Sequence, residues 1–507
     1  MEFQSILFNK RNQYCLNESV YEPEFFCDLN LDQLVNDIVE NKEEYNLKPF
    51  FYLKLKNVED INYRLDIMKE FDNNNLYSIM YDFSANMKRF KEYKEYSETL
   101  YFDYQLNKWF LDSADLYCRI VLELNEKISI LKFDSLGFRL FQGWIESYIN
   151  SDEFKIFSQL TFEMEELFSN IKYNLKIFKN KVLVTFEKSE GNYCDTLSKC
   201  FDKINDKKFD FKLGIFKDVK INPIEDLIIK AIKEEKTELF ERLSKYRNDF
   251  SNFENEKIMN FIREIQFYIS YIDFMNKLRK KGYVFSYPKF SDTKIVEFKN
   301  MYDLALANKN SKETIIRNDL FLEREENVLI LSGPNQGGKT TYARAFGQAS
   351  YLAFIGCPIA CDESKIYLFD NVYTHFSNDE NINIDTGKLK EELVRLEKII
   401  KRITPNSLLI LNELFATTTT YDGYNMGKDL IEYLIELECV CLYVTHIFEL
   451  SKLSRKIVNL VACVDSSKNR TYKILRKDSD GKVYANTIAE KYDLSYKSLK
   501  KRLSNIN

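Results

Sequence analysis

The chain has 507 residues, 45% of them hydrophobic, which is enough for two or three domains with sizeable cores and too apolar for a disordered protein. Lys+Arg 73 against Asp+Glu 78 leaves a formal net charge of −5, excluding a global positive field for nucleic acid, so any such contact needs a local patch. Met1-Glu2-Phe3-Gln4 opens without the basic stretch and apolar core of a secretory leader, and no apolar run is long enough to span a membrane, so a cytoplasmic location is expected. Ten cysteines are scattered, and the closest sets, Cys357/Cys361 and Cys439/Cys441, sit in or beside apolar runs without zinc spacing; buried free thiols are expected. With only His375 and His446 in the chain, a multi-histidine metal centre is excluded.

From about Asp28 to Lys176 helical periods alternate with short polar breaks. Leu31, Leu34, Val35 and Ile38 form one apolar stripe, residues 60–68 begin another, and aromatic-rich helices are expected over 101–111 and 138–149. Residues 176–222 differ: Lys181 to Phe186 and Phe209 to Leu213 read as strands, and the segment carries eleven Lys against seven Asp+Glu. Lys199, Lys203, Lys207, Lys208 and Lys212 are candidates for contact with a phosphate backbone, the alternative being a solvated lysine-rich surface. A long helix is expected over 224–248, with Ile228, Ile232, Leu239, Leu243 and Tyr246 inward. Another is expected over 254–281, with Ile258, Ile262, Ile265, Ile269, Ile272 and Met275 on one face and Gly282 as its stop. Two helices of that length in succession suggest an antiparallel lever.

Beyond Pro288 the pattern becomes α/β. Lys294 to Phe298 and Asn327 to Leu331 read as strands, and the second leads into Gly333-Pro-Asn-Gln-Gly-Gly338-Lys339-Thr340-Thr341, a full match to the phosphate-loop pattern. Glycines let backbone N–H groups converge on phosphate oxygens, Lys339 supplies a point charge, and the Thr340 hydroxyl can ligate Mg²⁺. The helix that follows aims its positive end at the same anion. Residues 365–369 and 372–374 read as a strand region, and 389–403 as a helix. Ser407 to Glu413 and Val440 to His446 read as buried strands that deliver Asn412, Glu413 and His446 to the strand-end edge where such folds bind ligands. Glu413 suits a base for attacking water, and His446 can report on a terminal phosphate. Residues 458–464 and 471–475 read as a closing hairpin, and 487–503 as a helical tail.

Three motifs in this order resemble the ATPase domain of the MutS mismatch-repair family over about residues 290–503. They are the loop Gly333 to Tyr342, Leu408-Leu-Ile-Leu-Asn-Glu-Leu414 with Thr418 to Gly423, and Tyr443-Val-Thr-His-Ile-Phe-Glu-Leu450. The helical part is similar to the family's core and lever through residues 29–34, 61–64 and 282–288. The resemblance implies an α/β P-loop (ABC-type) ATPase domain over 290–507 with a C-terminal helical tail. Before it would come a mainly α-helical core, lever and clamp domain over 28–289, with a clamp-like insertion at 176–222, after an N-terminal segment 1–27. It implies ATP and Mg²⁺ as cofactors, with Gly333, Pro334, Asn335, Gln336, Gly337, Gly338, Lys339, Thr340 and Thr341 at the nucleotide, Thr340 and, through water, Asn412 at the metal, and Glu413 and His446 in catalysis. It further implies a homodimer joined through its ATPase domains, closing on duplex or branched DNA.

There are departures from the family pattern. The family's N-terminal mismatch-reading and connector domains are expected to be absent, since core-like sequence begins by about Asp28, and Phe90-Lys-Glu92, which fits the bare pattern of the reading motif, lies in a helical context. Asn412 replaces an aspartate, removing an anionic charge that hard cations favour. The adenine-stacking aromatic falls near Ile315, the helix-opening serine falls near Gly387-Lys388, and Phe415-Ala416-Thr417 replaces a glycine- and arginine-containing turn. Three readings stay open: an ATPase coupled to a DNA clamp, an ATP-gated clamp or scaffold that hydrolyses little, and an ATPase acting on protein partners.

Overall fold

The computed structural model describes residues 2–9, 21–100, 102–178, 181–186, 223–309, 315–377, 387–465, 469–478 and 500. In chain order the helices begin with α1 (Phe25–Leu29), α2 (Leu31–Ile38), α3 (Lys48–Tyr52) and α4 (Val58–Glu70). Asn30 stands between the first two at φ 57°, the left-handed conformation that asparagine tolerates, and the Asn57 side chain caps α4 by accepting from Asp60 N at 2.8 Å. Then come α5 (Asn74–Glu98), α6 (Asp103–Ser129), α7 (Leu136–Ile149) and α8 (Asp152–Ser169). A hairpin of β1 (Asn174–Phe178) and β2 (Lys181–Thr185) follows, and then α9 (Pro223–Glu235), α10 (Thr237–Asp249) and α11 (Glu256–Arg279).

The single helix expected over 224–248 is instead two. Lys236 leaves helical geometry at φ −116°, ψ 45°, and the Thr237 hydroxyl bonds back to the carbonyls of Lys233 and Glu234. The break re-phases the apolar stripe: Phe240, Leu243 and Tyr246 are the buried residues of α10, where an unbroken helix would have turned Leu239 inward. Residues 174–178, which had not been separated from their surroundings as a strand, pair antiparallel with β2. The other strand expected in the insertion, 209–213, and the five candidate lysines from Lys199 to Lys212 lie outside the described residues, as does nearly all of the helical tail.

The chain divides into two compact units. One comprises Met1–Phe3, Asn74–Phe133 and Arg139–Ile262, and the other Gln4–Asn73, Asp134–Phe138 and Arg263–Asn507. Residues 28–73, expected with the helical domain, thus belong to the unit that carries the α/β sequence. In the helical unit the interior is made of rings: Phe141 stacks on Phe261 with centroids 3.7 Å apart, and Phe157 on Phe253 at 5.1 Å. Phe90 is fully buried against Tyr117 and Phe253, so the aromatic of the Phe90-Lys-Glu92 pattern is a core residue.

The second unit holds two mixed sheets. The smaller consists of β3 (Lys289–Ser291), β4 (Val296–Met301), β5 (Asn318–Leu322) and β7 (Glu363–Tyr367), in the order β3-β7-β4-β5, with the short α12 (Leu304–Lys309) after β4. The larger has six strands: β6 (Val328–Ser332), β8 (Val372–Phe376), β9 (Leu408–Asn412), β10 (Val440–Val444), β11 (Ile457–Val464) and β12 (Arg470–Arg476). Their order is β12-β11-β6-β10-β9-β8, parallel throughout except for the antiparallel edge strand β12. All five residues of β6, of β9 and of β10 are buried, as expected of parallel strands covered on both faces.

Connecting these strands are α13 (Lys339–Phe354), α14 (Lys388–Ile400) and α15 (Thr420–Leu437). Helix α13 is buried over most of its length, and its small residues permit close packing: a Cβ on Gly347 would stand 2.5 Å from Leu29 Cδ2 and 3.0 Å from Ile410 Cδ1. Cys357, Cys361, Cys439 and Cys441 are buried free thiols, and burial pushes the Cys439 thiol up to about 12. Among the described residues no helix is long and apolar enough to cross a membrane.

Candidate active site

Because β6, β10 and β9 run parallel, their carboxyl ends meet at one edge, and the residues just past them are forced together. Strand β6 ends in the glycine turn. Gly333 has φ 131° and lies so close to β11 that a Cβ there would meet Ala462 Cβ at 2.8 Å, so only glycine fits. Gln336 at φ 59° and Gly338 at φ 88° complete the reversal, and Gly338 caps α13, whose first residues are Lys339 and Thr340. Lys339 is 4% exposed, and its Nζ donates to the carbonyls of Gly333 and Pro334, each at 3.1 Å, folding the side chain back over the turn. Burial lowers its pKa, opposed by the negative charge of Glu413.

Strands β9 and β10 deliver the other groups. The Thr340 hydroxyl donates to Asn412 Oδ1 at 3.1 Å. Backbone bonds from Glu413 N to Val444 O at 2.9 Å and from Thr445 N to Leu331 O at 3.0 Å extend the ladder past the strand ends and fix the register of the three tips. His446 Nε2 lies 3.1 Å from Glu413 Oε1, both side chains being partly exposed. The donor from His446 holds the Glu413 carboxyl below its usual range; burial opposes this, and the charges of His446 and Lys339 add to it. Glu413 itself sits at φ 57° and Phe415 at φ 65°, left-handed conformations that cost a non-glycine residue roughly 1–3 kcal/mol and persist where the surroundings enforce them. Here Tyr443 OH donates to Leu414 O at 3.1 Å and Phe415 is buried, so the turn is clamped from beneath.

Chemically, the edge offers backbone amides at a helix start, one cation, one hydroxyl, one carboxylate and one imidazole. That set suits a polyanion approached by water. Among the described residues no group of three or more His, Cys, Asp or Glu side chains could hold a metal ion. A hard cation fits this edge only as Mg²⁺ commonly binds, through the Thr340 hydroxyl together with substrate oxygens and water, with Asn412 Oδ1 accepting from one such water.

The residues expected from sequence at this edge, Lys339, Thr340, Asn412, Glu413 and His446, are thus brought together. Ile315, at the position expected to lack an aromatic, is 8% exposed, and Gly387 is the N-cap of α14. Sequence reasoning missed two sets of residues. Arg470 at the start of β12 donates to Gln336 Oε1 at 2.8 Å, and Tyr472 stands beside Gly338; a strand-end position opposite the loop was the only signal for them. Beneath the sheet, Asp28, 5% exposed at its side chain, accepts from the Thr374 hydroxyl at 2.6 Å and from the Arg395 guanidinium, while Arg344 of α13 donates to its backbone carbonyl at 3.0 Å. No local pattern marks that network, since its members are far apart in sequence.

Residues 329–494 match the family model MutS domain V, a span that opens inside β6 and contains the whole of this edge. This region is MutS-related. The chain is 34% identical over 149 residues to the DNA mismatch repair protein msh-2 of Neurospora crassa, covering 29% of this chain and 16% of that one. It is 27% identical over 232 residues to the DNA mismatch repair protein MutS of Fervidobacterium nodosum, covering 45% of this chain and 27% of the relative. To the MutS protein of Pseudothermotoga lettingae it is 29% identical over 222 residues, 42% of this chain and 27% of the relative. The chain therefore spans about a quarter or less of the length of these MutS relatives.

Proposed function

We propose that the MutS-related region is a Mg²⁺-dependent ATPase and that the chain is a DNA-binding protein of mismatch repair or a related repair or recombination process. In this reading the cytoplasmic protein works as a homodimer joined through residues 290–507, with residues 28–289 as a helical lever and clamp. The observation that carries it is the meeting of the glycine turn, Lys339, the Thr340–Asn412 pair and the Glu413–His446 pair at one edge of a parallel sheet. The backbone N–H groups of residues 335–341 and Lys339 hold the phosphates, and His446 orients Glu413 and senses the terminal phosphate. Glu413 takes a proton from water as the water oxygen bonds to the terminal phosphorus and the bond to the ADP oxygen breaks. Thr340 and, through water, Asn412 would hold a Mg²⁺, which would supply neutralisation of phosphate charge.

A second reading, an ATP-gated DNA clamp with little hydrolysis, is favoured by one observation: the partner of Thr340 is the neutral amide of Asn412, so the metal position lacks the carboxylate that would bind it tightly. Phosphate release by the purified protein, with and without DNA, separates the two. For the ATPase, Glu413→Ala lowers the rate roughly 10²- to 10⁴-fold. For the clamp, wild type and Glu413→Ala bind ATP and release phosphate equally slowly. Asn412→Asp is expected to reduce the Mg²⁺ concentration needed for half-maximal ATP binding roughly tenfold; an unchanged Mg²⁺ requirement removes the basis of the second reading. Binding to duplex DNA that weakens as salt rises supports the clamp, and its absence favours action on protein partners instead.

A further inference from the structure

We propose that Arg470 is a positioning residue for the phosphate turn: through the Gln336 side chain it holds the turn in the reversed shape that gathers its backbone N–H groups. The inference rests on the nucleotide reading of that turn and deepens it at the phosphate end. The turn takes positive φ at Gly333 (131°), Gln336 (59°) and Gly338 (88°), and of these only Gln336 carries a Cβ. A side-chain-bearing residue is disfavoured there and relaxes to negative φ unless its surroundings hold it. Packing grips the turn lower down, where a Cβ on Gly333 or Gly337 would stand 2.8 Å or 3.2 Å from Ala462 Cβ of β11. At the tip Asn335 and Gln336 are both exposed, so burial does not fix them. What reaches the tip is a hydrogen bond from Arg470 Nη1 to Gln336 Oε1 at 2.8 Å, strengthened by the charge of its donor.

Such a bond can position the turn only if its donor is itself fixed. Arg470 begins β12, and the Thr471 hydroxyl beside it donates to Cys463 O at 2.8 Å, tying the strand start to β11. The pairing of β11 with β12 slips between the Ala462–Ile474 and Val464–Arg470 pairs. Across the slip, Asn318 of β5 donates from Nδ2 to Tyr472 O at 3.1 Å and accepts at Oδ1 from Ile474 N at 2.8 Å. The displaced start of β12 is therefore braced from both neighbouring strands, and the closing hairpin holds the turn twice: by contact beneath its glycines and by the arginine at its tip. The competing role is a direct contact of the guanidinium with a phosphate, which would not depend on the residue at 336.

The test is equilibrium binding of inorganic tripolyphosphate and of ATP, with thermal midpoints, for wild type, Arg470→Ala, Arg470→Lys, Gln336→Leu, Gln336→Gly and the double variant Arg470→Ala/Gln336→Gly. Expected is that Arg470→Ala weakens both ligands alike, about fivefold, at an unchanged midpoint, and that Arg470→Lys, still a charged donor, recovers part of the loss. Gln336→Leu, which keeps the disfavoured backbone without an acceptor, should bind both ligands more weakly than Gln336→Gly, which adopts positive φ freely. Adding Arg470→Ala to Gln336→Gly should weaken binding no further. A loss that persists in the Gln336→Gly background overturns the proposal, because Arg470 would then touch the phosphates itself. Unchanged binding by Arg470→Ala overturns it too, as does a loss confined to ATP or one accompanied by a lowered midpoint. Failure of wild type to bind either ligand instead removes the nucleotide reading itself.

Discussion

The two compact units are wired differently. In the helical unit many polar contacts join residues one turn apart, such as the pairs Arg119–Asp115 and Lys127–Glu123 on α6, and stacked rings pack the interior beside a few long-range polar contacts such as Thr161–Tyr246 and Lys108–Glu165. In the α/β unit the decisive polar contacts join residues far apart in the chain: Thr340 with Asn412 across 72 positions, Gln336 with Arg470 across 134, and Thr374 with Asp28 across 346. A substitution is therefore felt unequally in the two units. A contact within one helix turn is replaced by water at little cost, whereas a buried polar group that ties separate elements leaves partners stranded when it is lost.

The largest effect that can break this contrast is expected from Asp28→Ala. The buried Thr374 hydroxyl would lose its acceptor and the Arg395 guanidinium, a third exposed, one of its partners, costing about 2 kcal/mol, read as a fall in the urea midpoint. A change as small as that of a surface pair would show that the network does not hold α1, β8 and α14 together.

A smaller, functional effect is expected from His446→Gln. The folded-state pKa of Glu413 is depressed, so its carboxylate is present at higher pH and is lost as pH falls through that depressed value. Removing the imidazole removes the largest lowering cause and leaves burial, which raises the pKa, so the acid limb of phosphate release should move to higher pH. An unmoved limb would mean that His446 does not set the ionisation of Glu413.

The smallest effect is expected from Lys127→Ala. Both members of its ion pair with Glu123 are more than a third exposed, and its loss should shift stability by no more than about 0.5 kcal/mol in the same denaturation experiment. A larger loss would show that local pairs matter more to the helical unit than its ring packing does.

Much of the α/β unit was legible because buried parallel strands are near-continuous apolar runs, and Val328 to Leu331, Leu408 to Leu411 and Val440 to Val444 have that form. The glycine turn was equally plain, since close backbone approach demands the residue type found at Gly333. Less legible was the break at Lys236: the apolar residues on either side fit one helical period well, and only the burial of Phe240 in place of Leu239 reveals the change of phase. The membership of residues 28–73 in the α/β unit was hidden for a related reason, because helical periodicity says which face of α1 is apolar and nothing about which surface covers it.

By itself the sequence determined the order of elements and the identities of the chemical groups, because periodicity, glycine placement and strand-end residues are local properties of the chain. Which groups meet was left to the tertiary structure. Parallel pairing of β6, β10 and β9 sets Glu413 beside His446 and Thr340 beside Asn412, and a slipped register in β12 turns Tyr472 toward Gly338. Those are matters of strand order and register, fixed by contacts between distant segments that no local window of residues contains.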